Sequence, residues 1–176
     1  MSLYTKYGDS GFTFTKLSKK TPKNHALVDF LGNLDELNCS IGYLLSISAD
    51  MHAERLTQLI NLLFEIGAFV GYGSPLEFEK LKIFISNLEK EIDAQEAANV
   101  PLANFILPTG TPSAAWTHVC RAIARRVERS IYEMEIMAEM ELIIQFLNRV
   151  SDYFFSLART LNRIEGGKEI IWQSSK

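Results

Sequence analysis

Cysteine and histidine are scarce in this chain of 176 residues, and the few that occur form no recognisable site. Cys39 and Cys120 lie far apart within helical patterns, so nothing indicates a disulfide framework and a reducing compartment is favoured. His25, His52 and His118 are scattered, without a Glu-x-x-His motif or a Cys/His spacing, which argues against a di-iron bundle and a zinc site. Because Gly-x-Ser-x-Gly and Cys/His pairings are also missing, a covalent hydrolase is unsupported.

Long apolar runs and an excess of positive charge are missing as well. No run approaches the roughly 18 apolar residues that span a bilayer, and no apolar segment follows a basic start at the N-terminus. The formal net charge is −3 and the isoelectric point is about 5.7, whereas nucleic-acid-binding domains usually carry a basic face. We therefore expect a cytoplasmic protein that binds neither membranes nor nucleic acid.

Apolar residues at helical spacing are abundant. Leu34, Leu37, Ile41 and Leu44 form one such stripe, and four later segments repeat the pattern. The first predicted helix begins at residue 33. Four more helices are predicted at about 52–70, 77–97, 112–137 and 141–165, with glycine and proline residues marking helix ends. Because the connections are short, we predict a single all-α domain. It is a five-helix up-and-down bundle (33–165) with an irregular N-terminal arm (1–32) and a tail (166–176).

The fourth predicted helix follows an apolar loop at 105–110 and carries a cluster of charges. Thr111 is a good N-cap, and Pro112 suits the first helical position. The charged residues are Arg121, Arg125 and Glu128, which share one face, and Arg126 and Arg129 beside that face. Guanidinium groups match phosphate oxygens, so this pattern indicates a ligand with an anionic end and a large apolar body. The alternative is a solvated helix with an Arg125–Glu128 pair, but its small apolar surface favours a functional role.

Two other segments allow both a functional and a structural interpretation. The Gly/Thr-rich segment 5–13 could present backbone N–H groups and an ammonium to phosphates. Taken alone, an ordinary terminal turn is the better interpretation, because the segment is not a Walker A sequence. The last helix carries Asn148, Asp152, Phe155 and Arg159 on a second face, opposite its core stripe. That face could contact a nucleotide or another subunit, whereas a merely solvated face would not require Phe155.

Five motifs occur in a specific order along the chain. They are Thr-Lys-x-Gly-Asp-x-Gly-x-Thr at 5–13, Gly-x-x-Asp-Glu-Leu-Asn at 32–38, Phe-Ile-Leu-Pro-x-Gly at 105–110, Arg-x3-Arg-Arg-x-Glu-Arg at 121–129, and Leu-Asn-Arg-x-Ser-Asp-Tyr-x-Phe at 147–155. Together they resemble the propanediol-utilisation type of ATP:cob(I)alamin adenosyltransferase, over residues 4 to about 163. Each motif is weak alone, but five in order are specific.

The resemblance implies a homotrimer with active sites between subunits. There the 5′-deoxyadenosyl group of ATP would be transferred to the cobalt of cob(I)alamin, and triphosphate would be released. ATP and cobalamin would be the substrates, Mg²⁺ would accompany the triphosphate, and a reductase would be a further partner. Cob(I)alamin is itself a strong nucleophile, so the protein would need no general base.

The resemblance also implies residue roles. The loop that wraps the triphosphate would comprise Thr5, Lys6, Gly8, Asp9, Gly11 and Thr13, and Lys23 would be a further ATP contact. Arg125 and Asn148 would contact ATP, while Glu128 would help hold the nucleotide.

Three further residues would act at the subunit interface and at the corrinoid. Asp35 and Arg121 would pair between subunits. Phe105 would lie beneath the corrin ring and displace its lower axial ligand.

The chain departs from the family pattern mainly in its arm. Tyr7 replaces the usual Thr, Phe12 and Phe14 make the arm aromatic, and Leu27 stands where Arg is expected. Thr109 replaces a glycine beside the loop proline. These departures leave two alternatives to an enzyme: a non-catalytic trimer that binds or delivers cobalamin, and a structural bundle whose arginine helix forms an oligomer interface. The retained lysine, aspartate and threonine of the arm favour an active enzyme.

Overall fold

The computed structural model describes residues 4, 6–18, 20–48, 50–134 and 139–173, and its architecture is all-α. The five helices are α1 (Ala26–Ile47), α2 (Ala53–Tyr72), α3 (Phe78–Ala98), α4 (Pro112–Ile131) and α5 (Met140–Ile164). A small antiparallel sheet of β1 (Phe12–Thr13) and β2 (Thr21–Pro22) precedes them, and short 3₁₀ turns occur at Tyr7–Ser10 and Asp50–His52. The prediction of an all-α, five-helix bundle is confirmed.

The helices pack so that α1 contacts α2 and α4, while α5 contacts α4 and α3. Leu31, near the start of α1, lies against Gly71 at the end of α2. Asn148, near the start of α5, bonds to Glu128 near the end of α4. These contacts fit the predicted up-and-down order. Across the described helices, none combines the length and apolar character that a bilayer crossing requires.

The core consists of the apolar stripes that the sequence predicts. Leu34, Leu37, Ile41 and Leu44 are all buried on α1, and each of the other helices contributes a comparable set. The most enclosed helix is α5, because α3 and α4 cover two of its sides. Burial of this apolar surface is the main force that holds the bundle together.

Two predicted boundaries are wrong. The first helix begins at Ala26 rather than at residue 33, capped by His25, whose Nδ1 accepts a hydrogen bond from the N–H of Leu27. The fourth helix ends at Ile131, whereas a helix to about residue 137 was predicted. Part of that predicted extension, 135–138, lies outside the described residues. The arm is also more regular than expected, since it contains the two strands.

Candidate functional site

The arm forms a compact turn in which the predicted phosphate-binding residues lie together. Lys6 and Gly11, at the two ends of the 3₁₀ turn, adopt left-handed backbone conformations with φ of 61° and 84°. The N–H of Lys23 donates to the carbonyl of Gly11 at 2.9 Å. The Lys23 ammonium lies 3.0 Å from the position that a Cβ on Gly8 would occupy. Glycine at position 8 therefore leaves room for a cation directly over the turn.

The remaining predicted arm residues flank this turn. Asp9 is exposed on it, and its N–H donates to the carbonyl of Lys6 at 3.2 Å. Thr13 lies on β1, opposite Thr21 of β2. Thr5 lies outside the described residues.

One of the aromatic departures in the arm, Phe14, has a structural role. Phe14 stacks on Tyr72 with 6.5 Å between the ring centroids, and the Lys16 ammonium lies 5.5 Å from the centre of the Phe69 ring. The N–H of Lys16 also donates to the carbonyl of Gly71 at 2.8 Å. The arm is thus attached to the C-terminal end of α2. Leu27 is buried in the core, so the residue that replaces the expected arginine contributes packing instead of charge.

The predicted nucleotide residues of α4 and α5 form a second group. The Nδ2 of Asn148 donates to the Oε1 of Glu128 at 2.9 Å, which brings these two predicted residues into contact. Arg126 pairs with Glu36 on α1. Arg125 is exposed and has no ion pair within the described parts of the chain, so the alternative Arg125–Glu128 pair does not form. A free guanidinium is therefore available beside the Asn148–Glu128 contact.

His118 and Arg121 extend this face towards the N-terminal end of α4. The side chain of Arg121 has a buried Nε without a hydrogen-bond partner, and burial, followed by repulsion from Arg125, lowers its pKa. Both ring nitrogens of His118 are buried and have no hydrogen-bond partner among the described residues. The His118 ring lies 6.1 Å from that of Phe155. Burial, with a smaller contribution from Arg121, lowers the pKa of His118 to about 4. At neutral pH this face therefore presents a neutral imidazole next to guanidinium groups.

Asp35 is exposed on α1 and makes no ion pair with a described residue of its own chain. The α1–α4 ion pair that forms is Glu36–Arg126, one position along from the predicted aspartate. Neither the carboxylate of Asp35 nor the guanidinium of Arg121 forms an ion pair within the part of the chain that the structure describes. Their pairing between subunits stays a prediction.

Phe105 lies on the connection between α3 and α4, and its side chain is 79% exposed. This connection pairs with the C-terminal tail: the N–H of Leu107 donates to the carbonyl of Ile170 at 2.8 Å, and the N–H of Trp172 donates to that of Phe105 at 2.8 Å. Ile106 and Ile171 form the bridge between them. Because side chains alternate across extended segments, Phe105 and Trp172 belong to one face of this pairing. Ile106 and Ile171 belong to the other face.

The sequence interpretation missed Trp172. Its aromatic ring is half exposed and lies next to Phe105, and the two line the same cavity with Leu102, Ala103 and Asn104. A signal was present, because the apolar run Ile170–Trp172 follows the two glycines that end the last helix. Without knowing what the tail pairs with, that run could not be assigned to the site.

The prediction that Arg159 belongs to the second, exposed face of α5 is wrong. Arg159 is 2% exposed and is enclosed by carboxylates from two other segments. Phe155 and Asp152 are partly exposed, as a second face requires, and Asp152 pairs with Arg149 at 2.5 Å. The charged face of α5 is therefore shorter than predicted and ends near Phe155.

The profile of the cobalamin adenosyltransferase family matches residues 3–161 of this sequence. This chain belongs to that family. It is 36% identical over 183 residues to a corrinoid adenosyltransferase of Bacillus subtilis (strain 168), which covers 99% of this chain and 94% of that protein. It is 34% identical over 182 residues to the corrinoid adenosyltransferase MMAB of Mus musculus, which covers 97% of this chain and 77% of the mouse protein.

Solved structures of PduO-type adenosyltransferases from Lactobacillus reuteri share the fold. A phenylalanine-to-alanine variant complexed with cobalamin and ATP superimposes with a TM-score of 0.87 at 31% identity, covering 98% of this chain and all of that one (100%). An arginine-to-lysine variant complexed with ATP gives a TM-score of 0.85 at 33% identity, covering 97% and 100%. The resemblance to this transferase family, inferred from five motifs, is confirmed.

In this cobalamin adenosyltransferase the predicted site residues fall into three groups. The arm is held at the end of α2, the Arg125–Asn148 face lies on α4 and α5, and Phe105 lies with Trp172 on the paired connection and tail. Hydrogen bonds hold each group together internally, and α1 stands between α2 and α4. The predicted site residues are therefore distributed over three parts of the chain.

Proposed function

We propose that this family member transfers the 5′-deoxyadenosyl group from ATP to the cobalt of cob(I)alamin. In this reaction the cobalt–carbon bond forms with the electron pair of Co(I), the bond between C5′ and oxygen breaks, and triphosphate leaves with that bond's electrons. The observation that carries the proposal is the α4 face, where the guanidinium of Arg125 has no carboxylate partner among the described residues and lies on the same helix as Glu128, which bonds to Asn148. Such a face suits a polyphosphate that gains charge as it departs.

The arm would hold the triphosphate. Lys6 and the ammonium of Lys23, which lies over Gly8, supply positive charge, and the turn between two left-handed residues is a conformation that aims N–H groups at an anion. Mg²⁺ usually takes one or two carboxylates together with substrate phosphates. The exposed carboxylate of Asp9 fits that chemistry, and among the described residues no cluster of three or more His, Cys, Asp or Glu could hold a metal unaided. Bound Mg²⁺ would neutralise charge on the triphosphate.

A homotrimer would bring the groups together. The two groups predicted to bind ATP are attached to different helices, the arm to the end of α2 and the Arg125 face to α4 and α5, so an arm from one subunit could meet the Arg125 face of another. The unpaired Asp35 and Arg121 are available to pair across the same interface. Charge pairs of this kind fix the register of two subunits.

The exposed aromatic pair would receive the corrinoid. Phe105 and Trp172 offer an apolar wall to the corrin ring and would keep a polar axial ligand away from the cobalt. The neutral imidazole of His118 lies near Phe155 and is not needed as a base, since the nucleophile is the metal itself. The residues of this chain would thus position two substrates and stabilise the leaving group.

An absorbance assay tests the proposal. Purified protein is mixed with ATP, Mg²⁺ and cobalamin held as Co(I) by a chemical reductant, and conversion to the light-sensitive adenosylated product is followed. We expect turnover by the wild-type protein. Persistent Co(I) together with clear corrinoid binding would instead favour the non-catalytic carrier.

The Arg125→Ala variant tests the site assignment. It should abolish measurable ATP binding and leave the oligomeric state unchanged, as measured by light scattering. Arg129→Ala is the matched control, since Arg129 is also an exposed arginine of α4 but lies beside the face. An assembled Arg125→Ala protein that still binds ATP normally would count against our assignment, and loss of assembly would favour the structural alternative.

A further inference from the structure

A single buried arginine joins three separate segments of the chain. The Nη1 of Arg159 donates to the Oε2 of Glu96 at 2.6 Å, near the end of α3. Its Nε donates to the Oε1 of Glu169 at 2.8 Å, in the tail. Its Nη2 donates to the carbonyl of Val100 at 2.5 Å, at the start of the connection that carries Phe105. The planar fork of a guanidinium can satisfy three such directions at once, whereas an ammonium cannot.

Arg159 is buried, and carboxylates compensate its charge. Its side chain is almost completely enclosed, and the Glu96 carboxylate is fixed on its other oxygen by the hydroxyl of Ser156 at 2.9 Å. Enclosing the guanidinium costs desolvation, and its two carboxylate partners keep 37% and 27% of their side-chain surface exposed, so the cluster is weak evidence for stability alone. Their clearer consequence is geometric, because each charge has one well-satisfied position.

The position of Glu169 matters for the aromatic pair. Glu169 immediately precedes Ile170, whose carbonyl begins the pairing between tail and connection. Fixing Glu169 and Val100 to the same guanidinium therefore fixes the two segments relative to each other. Their pairing then sets Trp172 beside Phe105.

We propose that Arg159 is a positioning residue for the corrinoid step: it holds the tail against the Phe105 connection so that the two aromatic rings form one wall. This inference rests on the proposed function for its kinetic consequence. The structural part, that Arg159 holds the tail in place, can be measured without any substrate.

The substrate-free measurement uses tryptophan fluorescence. The chain has two tryptophans, so a Trp116→Phe background leaves Trp172 as the sole reporter. In that background, Arg159→Met should shift Trp172 emission to the red and increase quenching by acrylamide, because a released tail exposes the indole fully. Arg55→Met is the matched control, since it also breaks a part-buried Arg–Glu ion pair, but one that joins α2 to α3 through Glu91 and includes no residue of the tail.

The kinetic measurement separates the two substrates. Arg159→Met should raise the KM for cobalamin about tenfold or more while the KM for ATP stays within about twofold, because only the corrinoid wall is disturbed. Arg159→Lys should recover only part of the loss. A merely structural role would instead lower the active fraction and affect both substrates alike.

Each outcome decides the proposal. Released Trp172 with a selective rise in the cobalamin KM supports it, and unchanged quenching overturns it. Released Trp172 with an unchanged cobalamin KM overturns the positioning role. If Arg159→Met fails to fold, Glu169→Gln weakens only the tail side of the cluster and should give the same two effects in milder form. If wild-type protein shows no adenosylation, the fluorescence result still stands, so the two failures are distinguishable.

Discussion

The Gly110→Ala substitution tests how the connection that carries Phe105 is held at its C-terminal end, just before α4. Gly110 has φ of 140°, and a Cβ there would overlap the Oδ1 of Asn162. That oxygen accepts the N–H of Thr111 at 2.9 Å, while the Nδ2 of Asn162 donates to the carbonyl of Thr109 at 3.1 Å. Asn162 is buried and its amide cannot move aside without losing both bonds. The added methyl group therefore breaks the anchor.

The expected magnitude follows from three contributions. Forcing a side chain onto this backbone conformation costs about 1–2 kcal/mol, and each of the two broken hydrogen bonds leaves an enclosed group unsatisfied at about 1–2 kcal/mol. We expect Gly110→Ala to lower the free energy of unfolding by about 4 kcal/mol in total. Gly73→Ala, where φ is 75° and no atom lies within 4 Å of the new Cβ, is the control. It should cost only the backbone part, about 1 kcal/mol.

A double-mutant cycle tests the mechanism. Asn162→Ala alone loses the same two hydrogen bonds, at about 3 kcal/mol, but it also removes the oxygen that Gly110→Ala meets. The double variant should therefore be more stable than the sum of the single effects by about 2–3 kcal/mol. Urea unfolding followed by circular dichroism, at one fixed protomer concentration, measures all four proteins. Additive effects of the two substitutions would refute the reasoning.

Two further predictions concern the site itself. Phe105→Ala should slow adenosylation and leave ATP affinity unchanged, because the exposed ring lies on the connection between α3 and α4 and belongs to neither group predicted to bind ATP. Unchanged turnover would contradict the role assigned to Phe105. His118 has a pKa of about 4 in the folded protein, below its ordinary value of about 6.5, so its contribution to stability is complete above about pH 7 and is lost as the pH falls towards 4. Measured by urea unfolding, His118→Gln should reduce the loss of stability between pH 7 and pH 4 by about 3 kcal/mol, and an equally steep loss would contradict the assignment.

The fold could be predicted because each helix carries its own apolar stripe. The start of α1 was missed although Leu27 and Phe30 continue the spacing of Leu34 and Leu37 towards the N-terminus. Gly32 lies inside this helix, where a glycine costs only about 1 kcal/mol, and the burial of these two side chains outweighs that cost.

Features of the site that depend on neighbouring residues in the sequence could be predicted. Features that depend on contacts between distant residues were missed. Thr111 caps α4 through its own side chain, so the cap can be recognised from adjacent residues. Arg159 was assigned to an exposed face because helical spacing reveals one core stripe, whereas α5 is covered on a second side by α3 and the tail. The pairing of Trp172 with Phe105 joins residues far apart in the chain, and no periodicity encodes it.

The polar atoms on α4 that find no partner among the described residues agree with the proposal that one chain holds only part of the site. The Nε of Arg121 and both nitrogens of His118 are buried without partners, although each such group usually costs about 1–3 kcal/mol. Arg121 and Arg125 also repel each other, and binding of an anion would reduce this repulsion. A carboxylate from another subunit and a triphosphate are the two anions that the proposed assembly provides. In the proposed assembly, the guanidinium groups of Arg121 and Arg125 would therefore favour both subunit association and nucleotide binding, because each would gain an anionic partner.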